Sequence, residues 1–258
     1  YDAGINVLMK DCMDEEMILD KIVADLQASR PILIEALTKR NEGHAFVCDG
    51  MQSNGFIHIN WGWGGYSDGY FALSAMNPEN QGIGGASDAG AFTEWVTIYT
   101  GIQPDKGGKS VPMIVASSVE LKAAAVAKRN KVSVSITDFT NYGIAKEGGK
   151  VAFLLYKDSA LYQTVNTGQT WQLGPLNYYQ GFDAGASMAT VPQGEYEMVV
   201  GIDVTNKKEY PLYVLDHGVK RYHMTVTNDS VFLKEIIKKN EYYGTEYAVM
   251  QVIDLSAK

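Results

Sequence analysis

The 258-residue chain is 46% hydrophobic and 20% charged, which supports a packed core and excludes general disorder. Its net charge of -8 lacks the basic footprint of a nucleic-acid binder, and no run approaches the roughly 18 apolar residues that span a bilayer as a helix. Only two cysteines, Cys12 and Cys48, are present, which excludes a disulfide scaffold and a thiolate-rich zinc site.

In chain order, Asp14 is placed to cap a helix whose first turn carries Glu15 and Glu16, and Ile18, Ile22, Val23 and Leu26 form its apolar stripe. Ser29-Arg30-Pro31 ends it, because a residue before proline avoids the helical region. Strands are predicted at Ile32–Ala36, His44–Cys48, Phe56–Asn60, Tyr70–Leu73 and Trp95–Tyr99, with Asn54-Gly55 marking a hairpin turn. Residues 1–104 hold 5 Lys/Arg against 14 Asp/Glu, whereas residues 105–258 hold 17 against 16. That change coincides with a run of turn formers from Gly101 to Ser110, so the reading is a domain over 1–104, a linker at 105–111 and a second domain over 112–258. The second half carries period-2 runs at Val132–Ile136, Val151–Tyr156, Tyr196–Ile202, Tyr210–Val214 and Tyr222–Val226, which predict an antiparallel, all-β immunoglobulin-like sandwich.

Metal chemistry has little support: none of His44, His58, His217 and His223 lies in a His-Glu-x-x-His pattern, and His217 and His223 read as surface or turn residues. No cofactor is implied. Gly82-Ile83-Gly84-Gly85 lacks the Lys-Ser/Thr ending of a phosphate cradle and reads as a loop. The region 43–71 is more informative. His44 opens one strand and Asn60 closes its antiparallel partner, so the two are predicted as neighbours at one sheet end. An amide oxygen beside an imidazole fixes its tautomer and rotation, the task of the third residue in a cysteine protease. Trp61 would shield that bond. His58, between Ile57 and Ile59, either packs or faces solvent.

Gly43-His44-Ala45-Phe46-Val47-Cys48-Asp49-Gly50, then Asn60-Trp61-Gly62-Trp63-Gly64-Gly65 and Ser67-Asp68-Gly69-Tyr70-Phe71, resembles the streptopain-like family of bacterial cysteine peptidases, which are papain-like in fold. The likeness runs on through Leu73–Pro78 and the 82–90 loop to Gly101-Ile102-Gln103-Pro104, while residues 105–258 resemble the β-sandwich extensions of Bacteroidetes-type secreted proteases. The resemblance implies an α+β papain-like lobe with an antiparallel sheet. It makes His44 the general base and acid, Asn60 its orienting residue and Trp61 the cover over both. Trp63, Gly64, Gly84 and Gly85 would then line the substrate cleft, peptides and proteins would be the substrates, and the setting would be secreted, periplasmic or cell-surface.

The family carries its nucleophilic cysteine well before the histidine. Cys48 lies four residues after His44 on one strand, about 13 Å away at ~3.3 Å per residue, and Cys12 has no matching motif. The expectation is therefore the C-terminal portion of a catalytic domain whose partner is a missing N-terminal half, inactive alone, whether as one chain of a processed enzyme or as a truncated form. The alternative is a noncatalytic binding or adhesion module derived from such a peptidase, and the sequence upstream of Tyr1 discriminates the two.

Overall fold

The computed structural model describes residues 4–82 and 88–236, together with the backbone of two short paired strands, Lys238–Asn240 and Thr245–Tyr247. It divides into two compact units, Tyr1–Val111 and Pro112–Lys258. Strand dominates both, and the one α-helix among the described residues lies in the first.

The first unit contains β1 (Asn6–Met9), a 3-10 turn (Lys10–Cys12), α1 (Glu15–Gln27), β2 (Ile32–Thr38), β3 (Gly43–Met51), β4 (Ile57–Asn60), β5 (Gly69–Phe71) and β6 (Phe92–Thr100). They form one six-stranded sheet in the order β1-β6-β2-β3-β4-β5, and every pair in it is antiparallel. The helix begins as its sequence dictates: the Asp14 carboxylate accepts the Glu16 amide at 2.8 Å. Its C-terminal end is tied down by Asp25, whose carboxylate accepts from the Arg30 guanidinium and from the Gly101 amide just past β6. Ile18 and Ile22 of the helix meet Ile32, Ile34, Cys48, Ile57, Ile59 and Ile98 on one sheet face. Each isoleucine so buried contributes roughly 1.5–3 kcal/mol.

The strand bounds differ from the sequence expectation. The strands predicted at Ile32–Ala36, His44–Cys48, Phe56–Asn60, Tyr70–Leu73 and Trp95–Tyr99 run Ile32–Thr38, Gly43–Met51, Ile57–Asn60, Gly69–Phe71 and Phe92–Thr100, and β1 stands outside the prediction. Asn6–Met9 is a four-residue run without alternation, a signal too short to separate a strand from any other buried segment.

The second unit is built from β7 (Ile114–Ala116), β8 (Ser118–Leu121), β9 (Ala125–Ala127), β10 (Lys131–Asn141), β11 (Glu147–Lys157), β12 (Ala160–Leu173), β13 (Tyr178–Ser187), β14 (Gly194–Val204), β15 (Glu209–Pro211), β16 (Tyr213–Val214), β17 (Arg221–Val226) and β18 (Ser230–Ile236). One sheet runs β13-β10-β7-β16 with β8 also on β10; the other runs β12-β11-β14-β17-β18-β9 with β15 on β14. Alternate side chains of both sheets, among them Phe139, Phe153, Trp171, Tyr196, Met198 and Tyr222, fill one apolar core. The single strand predicted at Tyr210–Val214 is instead two. Glu209–Pro211 pairs with β14, and after Leu212 the chain crosses to the other sheet, where Tyr213–Val214 pairs with β7 in parallel. Contact with β14 extends one residue past the strand, through the Leu212 amide on the Val200 carbonyl at 2.9 Å. The unit is therefore not antiparallel throughout.

Candidate active site

His44 stands on β3 with Phe46 and Cys48 on the same face, directly across from Ala36 of β2. Beyond it the hairpin turns through Gln52–Phe56, where Gly55 takes φ +88°, a left-handed conformation open to glycine. The returning strand pairs Ile57 with Met51 and His58 with Gly50. A bulge at Asp49 then shifts the register, so that Ile59 pairs with Cys48 and Asn60 with Val47. This corrects the predicted adjacency: Asn60 sits opposite Val47, not His44. Continued past Asn60, the same register brings position 63 opposite His44.

After Asn60 the chain turns sharply, with Gly62 at φ +78°. The Asn60 side-chain oxygen accepts the Gly62 amide at 2.9 Å, and the Trp61 carbonyl lies 2.9 Å from His44 Nε2. A carbonyl only accepts, so Nε2 carries the hydrogen and Nδ1 keeps the free lone pair. The partner that orients His44 is thus a backbone carbonyl and not the Asn60 amide. Trp61 is 0% exposed, donates its indole N–H to the Ser67 carbonyl at 3.0 Å, and lies nearly parallel to the imidazole at 6.3 Å and 14°. Trp63 stacks closer, at 4.9 Å and 23°, yet remains 42% exposed. With Phe46 and Phe92 about 6 Å away, the imidazole is boxed by aromatic rings that strengthen its polar contacts by excluding water. Gly64 follows at φ +68°, beside Trp63. Gly84 and Gly85 lie outside the described residues.

Both cysteines are buried. Cys48 is buried, its thiol points to the Gly50 carbonyl, and burial pushes it up to about 12, so it is a protonated thiol at neutral pH. Cys12 is buried in the turn after β1, and β1 lies three strands from β3, about 14 Å at typical strand spacing. His58 points to the other face of the sheet, where its Nδ1 pairs with Asp49 and its ring meets the edge of Tyr70. Among the described residues no three His, Cys, Asp or Glu side chains converge in a metal-binding arrangement, and no helix is long and apolar enough to cross a membrane.

Two side chains of this site, Phe92 and Asp68, were not assigned from the sequence. Asp68 accepts the Trp61 backbone amide at 2.9 Å. In Ser67-Asp68-Gly69 it reads as a turn former, and nothing in its spacing from His44 announces the contact.

Residues 1–71 match the model of the Peptidase C10 family. Over 104 residues the chain is 43% identical to streptopain of Streptococcus pyogenes, a match covering 40% of this chain and 25% of that protein. It is 44% identical over 104 residues to the thiol protease/hemagglutinin PrtT of Porphyromonas gingivalis, covering 12% of that protein. Active wild-type interpain A cysteine protease of Prevotella intermedia is similar over 39% of each chain, at 25% identity and a TM-score of 0.34. The chain spans about a quarter of the length of the streptopains it matches. Through its first 104 residues, the chain is similar to the streptopain-like cysteine peptidases, and through its first 71 to the model of the Peptidase C10 family.

Proposed function

We propose that residues 1–104 are the histidine-bearing part of a cysteine endopeptidase site, with His44 as general base and acid. The observation that carries this reading is the Trp61 carbonyl on His44 Nε2, which leaves Nδ1 as the only basic nitrogen. The thiol that pairs with Nδ1 comes from outside the 258 residues, since Cys48 is held protonated and Cys12 lies near the far edge of the sheet. In the complete enzyme Nδ1 takes the thiol proton, and the thiolate adds to the peptide carbonyl. Nδ1–H then passes its proton to the departing amine as the C–N bond breaks. A water deprotonated by Nδ1 cleaves the thioester and restores the thiol. Trp63, exposed on one side and stacked on the imidazole on the other, forms a wall for the peptide beside Gly64. Gly84 and Gly85 are assigned to the same cleft by resemblance alone.

Residues 112–258 are read as an appended immunoglobulin-like domain, joined through 105–111, and the enzyme as exported, as its relatives' resemblance implies. His44→Ala in the full-length enzyme is expected to lower peptide hydrolysis by at least ~10²–10⁴-fold while far-UV circular dichroism is unchanged. The 258 residues alone are expected to take up no epoxide active-site label. Near-normal hydrolysis by the variant would remove His44 from the mechanism. A full-length protein that binds peptides but carries no thiol opposite His44 would make the chain a binding module instead.

A further inference from the structure

We propose that Asp68 and Asn60 are positioning residues that clamp two successive peptide groups, so that the Trp61 carbonyl locks His44 in its Nε2–H tautomer. This rests on the reading of His44 as the base. The peptide joining Trp61 to Gly62 is held at both ends: its N–H donates to Asn60 Oδ1 at 2.9 Å, and its carbonyl accepts from His44 Nε2 at 2.9 Å. Donation from one end of an amide polarises the other, which strengthens the carbonyl as acceptor. Asn60 therefore acts on the imidazole through a peptide group, without touching it.

The preceding peptide is held by a charge. Trp61 N–H donates to Asp68 Oδ1 at 2.9 Å, a charge-assisted bond and hence stronger than a neutral one. Asp68 is itself fixed. It precedes β5, where Gly69 pairs with Ile59, and its carbonyl accepts from Gln81 Nε2 at 3.3 Å. Gly69 makes room for that glutamine, since a Cβ there would lie 2.3 Å from its carboxamide. The neighbouring Ser67 carbonyl holds the Trp61 indole at 3.0 Å. With both peptides and the ring of Trp61 tethered, the carbonyl cannot swing away from Nε2, and Nδ1 is left as the proton acceptor.

The test uses the ¹⁵N-labelled 258-residue chain at a pH where its histidines are neutral, reading tautomers from long-range ¹H–¹⁵N spectra with His44→Gln for assignment. The wild type is expected to show His44 as Nε2–H. Asp68→Ala and Asn60→Ala are each expected to lower the Nε2–H to Nδ1–H ratio roughly tenfold, the size of one hydrogen bond. Asp68→Asn and Asn60→Asp, which keep an acceptor oxygen in place, are expected to restore most of it. His58, paired with Asp49 on the other face, serves as control: an unchanged His58 signal shows that the hairpin is intact. If Asp68→Ala does not fold, Asn60→Ala alone decides. A wild-type Nδ1–H tautomer, or a ratio unmoved in a folded alanine variant, overturns the clamp. In the full-length enzyme, hydrolysis that survives His44→Ala overturns the base reading and with it the clamp's catalytic sense. An unlocked tautomer in an enzyme that needs His44 overturns the clamp alone.

Discussion

Cys48 and His44 share one face of one strand and face opposite chemical fates. The thiol is enclosed by Ile32 and Ile59 across the sheet, and burial, not any single charge, pushes it from 9.0 up to about 12. Tyr99 is likewise pushed up to about 12, first by burial and then by its hydrogen bond to Glu35. The sign for stability follows from linkage. Above pH 9 the unfolded chain releases the Cys48 proton while the folded chain keeps it, so the unfolded state binds fewer protons and stability falls as pH rises toward 12. The loss for this one group is up to about 1.4 kcal/mol per pH unit. Urea midpoints measured from pH 8 to 11 are expected to fall less steeply in Cys48→Ala than in the wild type. Equal slopes would show that the thiol does not carry the effect.

At the scale of elements, the helix and the hairpin were legible to different depths. The Asp14 cap, the acidic first turn and the Ile18/Ile22 stripe appear in the structure as the sequence reads, because each is a contact within one or two turns. Asp14→Ala is expected to cost about 1 kcal/mol of stability, measured by denaturant unfolding, since it orphans the Glu16 amide. The hairpin was legible as a hairpin, but its register was not. The bulge at Asp49 moves the partner of every residue beyond it by one, so that Asn60 faces Val47 rather than Cys48 and, in the same register, position 63 rather than 64 falls opposite His44, where Trp63 stacks on the imidazole. The local marker is slight: Asp49-Gly50 is poor strand sequence, and a glycine there is compatible with a bulge, but it does not say which residue is the extra one.

At the scale of the whole molecule, each unit carries its own apolar core, one centred on Trp61 and Ile34, the other on Phe153 and Trp171. Residues 104–109 are exposed, and Asp105 accepts the Gly107 amide in a turn there. Limited proteolysis is expected to cut near Lys106–Lys109 before elsewhere, because exposed Gly/Lys loops adopt the extended form a protease needs. The fragment 112–258 is then expected to melt cooperatively by itself. First cuts inside β10–β14, or a fragment that unfolds without a transition, would place the boundary elsewhere.

What the sequence by itself determined is the local grammar and the likeness to the streptopains over its first 104 residues. The helix with its cap, the five predicted strands of residues 1–104, and the His44…Asn60-Trp61-Gly62 signature all depend on residue type at short range. What only the tertiary structure decided is which atom reaches His44. Backbone carbonyls are identical in every residue, so the Trp61 carbonyl leaves no trace in the sequence, and Asp68 comes to that peptide only because β5 folds back onto β4. The split of Tyr210–Val214 between two sheets has the same origin: a period-2 run specifies alternating faces, whereas the choice of neighbour is made by the strand each short segment meets in the folded chain.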